Sequence, residues 1–149
     1  MTDTILAIDP GTTDSAFVQW RAGEILDHGH LPNAEIRQVL IGREYDRVAC
    51  EMIASYGMAV GASTFETCVW IGRFIEVARV DVELIFRKDI KLFLCGTMRA
   101  KDANVRQALL DLIGPQGTKK TPGPTYGIKS HAWAALAVAV YAAQNNNNK

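Results

Sequence analysis

Three strand-like runs precede the first helical one, and that order limits the fold more than any other feature of the chain. "TILAIDP" (4–10) is apolar and stops at a Pro-Gly turn. "SAFVQW" (15–20) follows it. "GEILDHGHL" (23–31) comes after the turn Arg21-Ala22-Gly23 and can pair back as a hairpin. The pattern then alternates. "NAEIRQVLIG" (33–42) sets Ile36, Val39 and Leu40 at helical spacing and closes on Gly42. "DRVACEMI" (46–53) is a fourth strand and "DVELIFR" (81–87) a fifth. Between them lie a Gly-rich loop (54–62) and a long helix (63–80). Ser63 or Thr64 is its expected N-cap, Glu66 is in its first turn, and its expected core stripe is Phe65, Cys68, Ile71, Phe74 and Val77 or Ala78. A hairpin-rich start followed by alternation implies an α/β fold, a five-stranded mixed sheet with helices on both faces.

The C-terminal part is helical and basic. Residues 88–96 read as a short helix or turn, and "KDANVRQALLDLIG" (101–114) as an amphipathic helix. The Pro- and Gly-rich segment 115–127 is a loop carrying Lys119 and Lys120. "KSHAWAALAVAVYAA" (129–143) is a last, almost wholly apolar helix, with Ser130 as its expected cap. One domain over 1–144 is expected, with a disordered Asn-rich tail at 145–149. The start of the chain lacks the pattern of a signal peptide, and "ALAVAVYAA" is too short to span a bilayer. Cys50, Cys68 and Cys95 are odd in number and widely spaced, which suits reduced, packed thiols of a cytoplasmic protein.

Net charge is zero, yet it is unevenly spread. Residues 1–86 carry 6 Lys/Arg against 13 Asp/Glu, and residues 87–149 carry 10 against 3. A basic half on a neutral chain suits either a polyanion-binding face or two solvated faces whose charges mix in space.

Three residues are candidates for chemistry. Asp9 ends the first strand just before Pro10 and Gly11, a position suited to a metal ligand or base as well as to an ordinary turn. Glu51 ends the fourth strand among Val48, Ala49, Cys50, Met52 and Ile53, where a carboxylate is partly desolvated and needs a cation or donors. If those strands are neighbours, the two acids stand side by side, and a divalent ion is the usual remedy for their repulsion. His131 opens the last helix, where an imidazole nitrogen can ligate a metal, accept a proton or simply pack.

Taken together, these residues resemble the RuvC family of Holliday-junction resolvases, within the RNase H-like nucleases. "AIDPGTTDSAFV" resembles that family's first strand and turn, with a metal-binding Asp at Asp9. "RVACE" resembles the strand that carries its essential Glu, at Glu51. "HAWAALAVAV" resembles its last helix, read as acid-x-x-Asp-Ala-Leu-Ala, with His131 at the first position. "GTKKTPGPTYG" before that helix is similar to a small phage and prophage branch. One departure is plain. The family's last Asp is Ala134 here, and no acid follows Asp111. Either this branch works without that Asp, or Ala134 inactivates the chain.

The resemblance implies metal-dependent phosphodiester hydrolysis at Asp9, Glu51 and His131, with Mg²⁺ or Mn²⁺, two ions per site. It implies four-way or other branched DNA as substrate and a homodimer that makes paired cuts, with Trp70, Ile71 and Phe74 as candidates for its interface. Lys91, Arg99, Lys101, Arg106, Lys119, Lys120 and Lys129 are the candidate phosphate contacts, and Tyr56 the candidate for stacking on a base. A cytoplasmic location follows, that of the bacterial host if the chain is phage-encoded, with no membrane. Alternatives left open are a non-catalytic protein that binds branched DNA, an RNA-processing nuclease of the same fold, and an ATP-binding domain suggested by "DPGTT".

Overall fold

A computed structural model describes residues 2–145. Its elements in chain order are β1 (Thr4–Asp9), β2 (Asp14–Arg21), β3 (Glu24–Pro32), α1 (Asn33–Gly42), β4 (Arg47–Met52), α2 (Ala62–Val77), β5 (Val82–Phe86), α3 (Arg87–Cys95), α4 (Asp102–Ile113) and α5 (Ala132–Gln144). One five-stranded sheet runs in the order β3-β2-β1-β4-β5. The first three strands form an antiparallel meander, while β1, β4 and β5 are parallel neighbours. The fold is the α/β, RNase H-like arrangement expected, with helices on both faces.

Alternation along the strands divides the core in two. Ile5, Ala7 and Ala49 face α5 and pack with Ala16, Val18, Trp20 and Ile85. Leu6, Ile8, Val48 and Cys50 face the other way, against Ile36 and Leu40 of α1 and Ile71 and Phe74 of α2. Helix α5 touches β1, β2 and β4 on one side and α3 and α4 on the other. A helix enclosed in this way is apolar all round. That accounts for a run from Ala132 to Ala143 without a charged residue. Among the described residues, no helix is long and apolar enough to cross a membrane.

Several local expectations change. Helix α2 starts at Ala62 with Gly61 as N-cap, so neither Ser63 nor Thr64 caps it, and its first turn contains no acid. Its buried edge is Thr67, Ile71 and Phe74; Phe65 is 62% exposed and Cys68 half-buried. The helix has apolar residues on every side, so spacing alone did not select the buried face. Ile71 and Phe74 lie in the core and are unavailable to a dimer interface, whereas Trp70 is half-buried. Ser130 does not cap α5: it sits at φ 51, and His131 occupies the N-cap position. Asn145 is the C-cap of α5, and the rest of the tail expected to be disordered lies outside the described residues. The three cysteines are unpaired, with Cys50 buried.

The turn after β1 is held from beneath. The Gly11 N–H donates to Ser15 Oγ (3.1 Å), the Ser15 hydroxyl donates to Asn33 Oδ1 (2.6 Å), and Asn33 Nδ2 donates to the Gly11 carbonyl (3.0 Å). Ser15 and Asn33 are both buried. A side chain at position 11 would run into the Asp14 carbonyl oxygen, so the tight return needs glycine there. This network fixes where β1 ends, and therefore where Asp9 points.

Candidate active site

Register brings the two acids together. In the parallel pair β1–β4, Ile8 stands opposite Cys50, so Asp9 and Glu51 are the next residues on adjacent strands. Both side chains follow Ala7 and Ala49 onto the α5 face. Asp9 is 6% exposed. Helix α5 begins directly above it, and His131 Nδ1 lies 3.1 Å from Asp9 Oδ2. The His131 side chain is otherwise open, at 68% exposure.

Glu51 has a different partner. Arg87 directs its Nε and Nη2 to the two carboxylate oxygens of Glu51, each at 3.3 Å. Its Nη1 is 3.6 Å from Asp102 Oδ1. Glu51 pairs with Ile85 across β4–β5, so Arg87, two residues on, emerges beside it at the end of β5. These groups line a cavity of about 310 Å³ with Lys91, Trp133 and Ala134. The position where the resemblance calls for an Asp is thus a methyl group in the cavity wall.

Electrostatics follow from this packing. Burial first, and then the neighbouring charge of Glu51, push the Asp9 carboxyl up to about 6, against the opposing pull of His131 and Arg87. For Arg87, burial opposes the charge, but the charge and hydrogen bonds of Glu51, helped by Asp102 and Asp9, raise it above its ordinary value. It is a permanent cation in the site. Burial, aided by Asp9 and Glu51, also pushes the Cys50 thiol up, which makes it inert beneath the two acids.

The donors are hard oxygens and one imidazole, the set that suits Mg²⁺ or Mn²⁺. Asp9 and His131 are already in contact, and the Asp9 carboxyl is raised by burial and by the charge of Glu51. Among the described residues, however, no three His, Cys, Asp or Glu side chains converge on one point, because Glu51 is drawn to Arg87. Asp9 and His131 are the pair in contact that could hold one ion, with Glu51 joining them only on leaving Arg87.

Sequence reasoning missed Arg87, Asp102, Lys88 and His30. His30, on β3 opposite Ala16, meets His131 edge to face with ring centroids 5.6 Å apart, beside Asp9. Lys88 stands 5.8 Å from the ring of Tyr56, which is 61% exposed in the loop after β4. Tyr56, Arg87, Lys88, Lys91 and Met98 line a second cavity adjoining the first. Of the expected phosphate contacts, Lys91 therefore borders both cavities. Arg106 lies over Trp133, 5.1 Å from its ring centre. Arg99, Lys101 and Lys129 are exposed but line neither cavity. Lys119 and Lys120 sit apart, at the tip of a turn closed by the Thr118 N–H to the Thr121 carbonyl (3.0 Å). Thr125 and Gln116 pin the base of that loop to Gly114 and Ile128.

No protein-family model matches the sequence. No curated protein matches it either. The fold does match solved structures. Thermus thermophilus RuvC superposes with a TM-score of 0.63 at 20% identity, over 94% of this chain and 92% of that one. T. thermophilus RuvC in complex with Holliday junction substrate gives 0.63 at 19% identity, over 95% of this chain and 96% of that one. At this identity the likeness is one of fold.

Proposed function

We propose that this chain is a divalent-metal-dependent endonuclease that resolves four-way DNA junctions by paired phosphodiester hydrolysis. The observation that carries the reading is that Asp9 and Glu51 end adjacent parallel strands, with His131 in contact with Asp9, within a fold like that of RuvC. A bound Mg²⁺ or Mn²⁺ supplies an activated water and charge neutralisation at the phosphate. Asp9 and Glu51 hold it, and His131, in contact with Asp9, completes the ligand set or accepts a proton.

DNA contact is assigned to the basic C-terminal half. Lys88 and Lys91 border the site, and Tyr56 is exposed beside them, available to stack on an unpaired base for about 1–3 kcal/mol. Arg99, Lys101, Arg106, Lys129 and the loop lysines Lys119 and Lys120 extend the contact along the backbone. Two cuts need two sites, so a homodimer is part of the reading. Exposed Phe65 and Val69 on α2, with Met58 in the loop before it, are the apolar surface that supports it. Sedimentation of the free protein as a monomer at cutting concentrations would refute that part. The site of action is the cytoplasm of the cell in which the chain is made.

The test is a substrate panel of four-way junction, flap, duplex and structured RNA, each with Mg²⁺ and with Mn²⁺. Symmetric cleavage of the junction is expected, and Asp9→Asn should abolish cutting while leaving junction binding intact. A second reading, a non-catalytic junction-binding protein, draws on Ala134 and on the hold of Arg87 on Glu51. Tight junction binding without cleavage would favour it. Cleavage by Ala134→Asp alone would mean that Ala134 inactivates the chain.

A further inference from the structure

Arg87 lies against the residues assigned to the chemistry and has no assigned part in it. It follows β5 directly and opens α3, where the positive end of a helix disfavours a cation. Two carboxylates hold it there: Glu51 through a two-pronged contact at 3.3 Å, and Asp102, the first residue of α4, at 3.6 Å. Its side chain is nonetheless 45% exposed, so the guanidinium is held in place and still open to the cavity it shares with His131 and Ala134.

Charge decides what the site can take. The carboxylates of Asp9 and Glu51, set against the guanidinium of Arg87, leave one uncompensated negative charge. One divalent ion reverses that to a single positive charge, which matches a phosphodiester. In the cavity that Arg87 lines, a second ion would find no free carboxylate. Position 134 offers a methyl group, and Asp102 is 86% exposed and turned to Arg87. A guanidinium is planar, always charged and forked, so it can hydrogen-bond phosphoryl oxygens where a metal would otherwise coordinate them.

We propose that Arg87 is a built-in cation taking the place of a second metal ion: each site binds one divalent ion, and the guanidinium holds the scissile phosphate. This inference rests on the nuclease reading above. No atom is transferred to or from Arg87. It contributes hydrogen bonds and a fixed charge aimed at the oxygens on which negative charge develops.

The experiment combines Mn²⁺ titration of the protein alone, followed by the electron paramagnetic resonance of free Mn²⁺, with single-turnover cleavage of a four-way junction. The wild-type chain should take one Mn²⁺ per protomer. Arg87→Gln frees Glu51, and should bind Mn²⁺ about fivefold tighter, the scale of one released ion pair. The same variant should cut about a hundredfold more slowly, as when one transition-state donor is lost. Arg87→Lys keeps the charge and should cut within about tenfold of wild type. Binding and cleavage thus move in opposite directions, which a purely structural role does not produce. Thermal melting of each variant checks that it is folded.

Two tight Mn²⁺ ions in the wild type overturn the proposal. So does an Arg87→Gln protein that cuts as fast as wild type or faster, since Arg87 would then only restrain Glu51. A folded Arg87→Gln protein that loses Mn²⁺ binding and cleavage together overturns it as well. Failure of the nuclease reading looks different: the wild type then cuts no junction with either metal, and the phosphate role of Arg87 falls with it.

Discussion

Asp9→Asn should stabilise the metal-free protein at alkaline pH, although it removes a carboxylate that the proposed nuclease function needs. In the folded chain the Asp9 carboxyl is pushed up to about 6, from an ordinary value of 3.8. Between those values the folded state holds a proton that the unfolded state has released. Stability therefore falls as pH rises through this window, and levels off above about pH 6. The gap is about two pH units, and each is worth ~1.4 kcal/mol, so ionised Asp9 costs the metal-free protein about 3 kcal/mol. Asparagine is nearly isosteric and carries no charge. Its amide must still find partners in a pocket whose hydrogen bond comes from His131, so the net gain is about 1–3 kcal/mol. For a chain of this size that is about 3–9 °C in Tm. Melting followed by circular dichroism, with chelator present, should show this gain at pH 8 and none at pH 4. Mn²⁺ should then raise the wild type and leave the variant unmoved. A variant less stable than wild type at pH 8, or a difference that persists unchanged at pH 4, would refute the assignment of Asp9 as a buried, charge-starved carboxylate.

Two further outcomes follow from other parts of the molecule. Replacing both Lys119 and Lys120 by alanine removes two cations from the loop tip, away from the cavities at the site. The slope of log affinity for junction against log salt should become shallower by about 2, with single-turnover cleavage at saturating protein unchanged; an unaltered slope would remove these lysines from the interface. Asn33→Ala leaves Ser15 and the Gly11 carbonyl without their buried partner, and should cost about 1–3 kcal/mol in urea denaturation. A cost near zero would mean that the turn after Asp9 is held by other contacts.

The sequence made the elements legible because their boundaries are marked by Gly, Pro and changes of hydrophobic period. It also carried the pairing of Asp9 with Glu51, on the single condition that β1 and β4 be neighbours, which the parallel crossover through α1 satisfies. It did not reveal which side of α2 is buried, because Phe65, Val69, Ile71, Phe74 and Ile75 surround that helix and only the partner surface chooses among them. Nor did it single out Arg87. In a basic half, one more cation reads as a phosphate contact. The signal that could have found it is positional, and it is the same one that found the acids. β1, β4 and β5 are consecutive parallel strands, so their C-terminal ends share one edge of the sheet. Asp9, Glu51 and Arg87 stand in a row at those ends, a buried acid, a half-buried acid and the cation that holds it. His131 reaches the row from the start of α5. A parallel sheet thus converts three residues far apart in sequence into one line of charge, and Ala134, at the position where the resemblance calls for an acid, faces the same cavity as the cation at position 87.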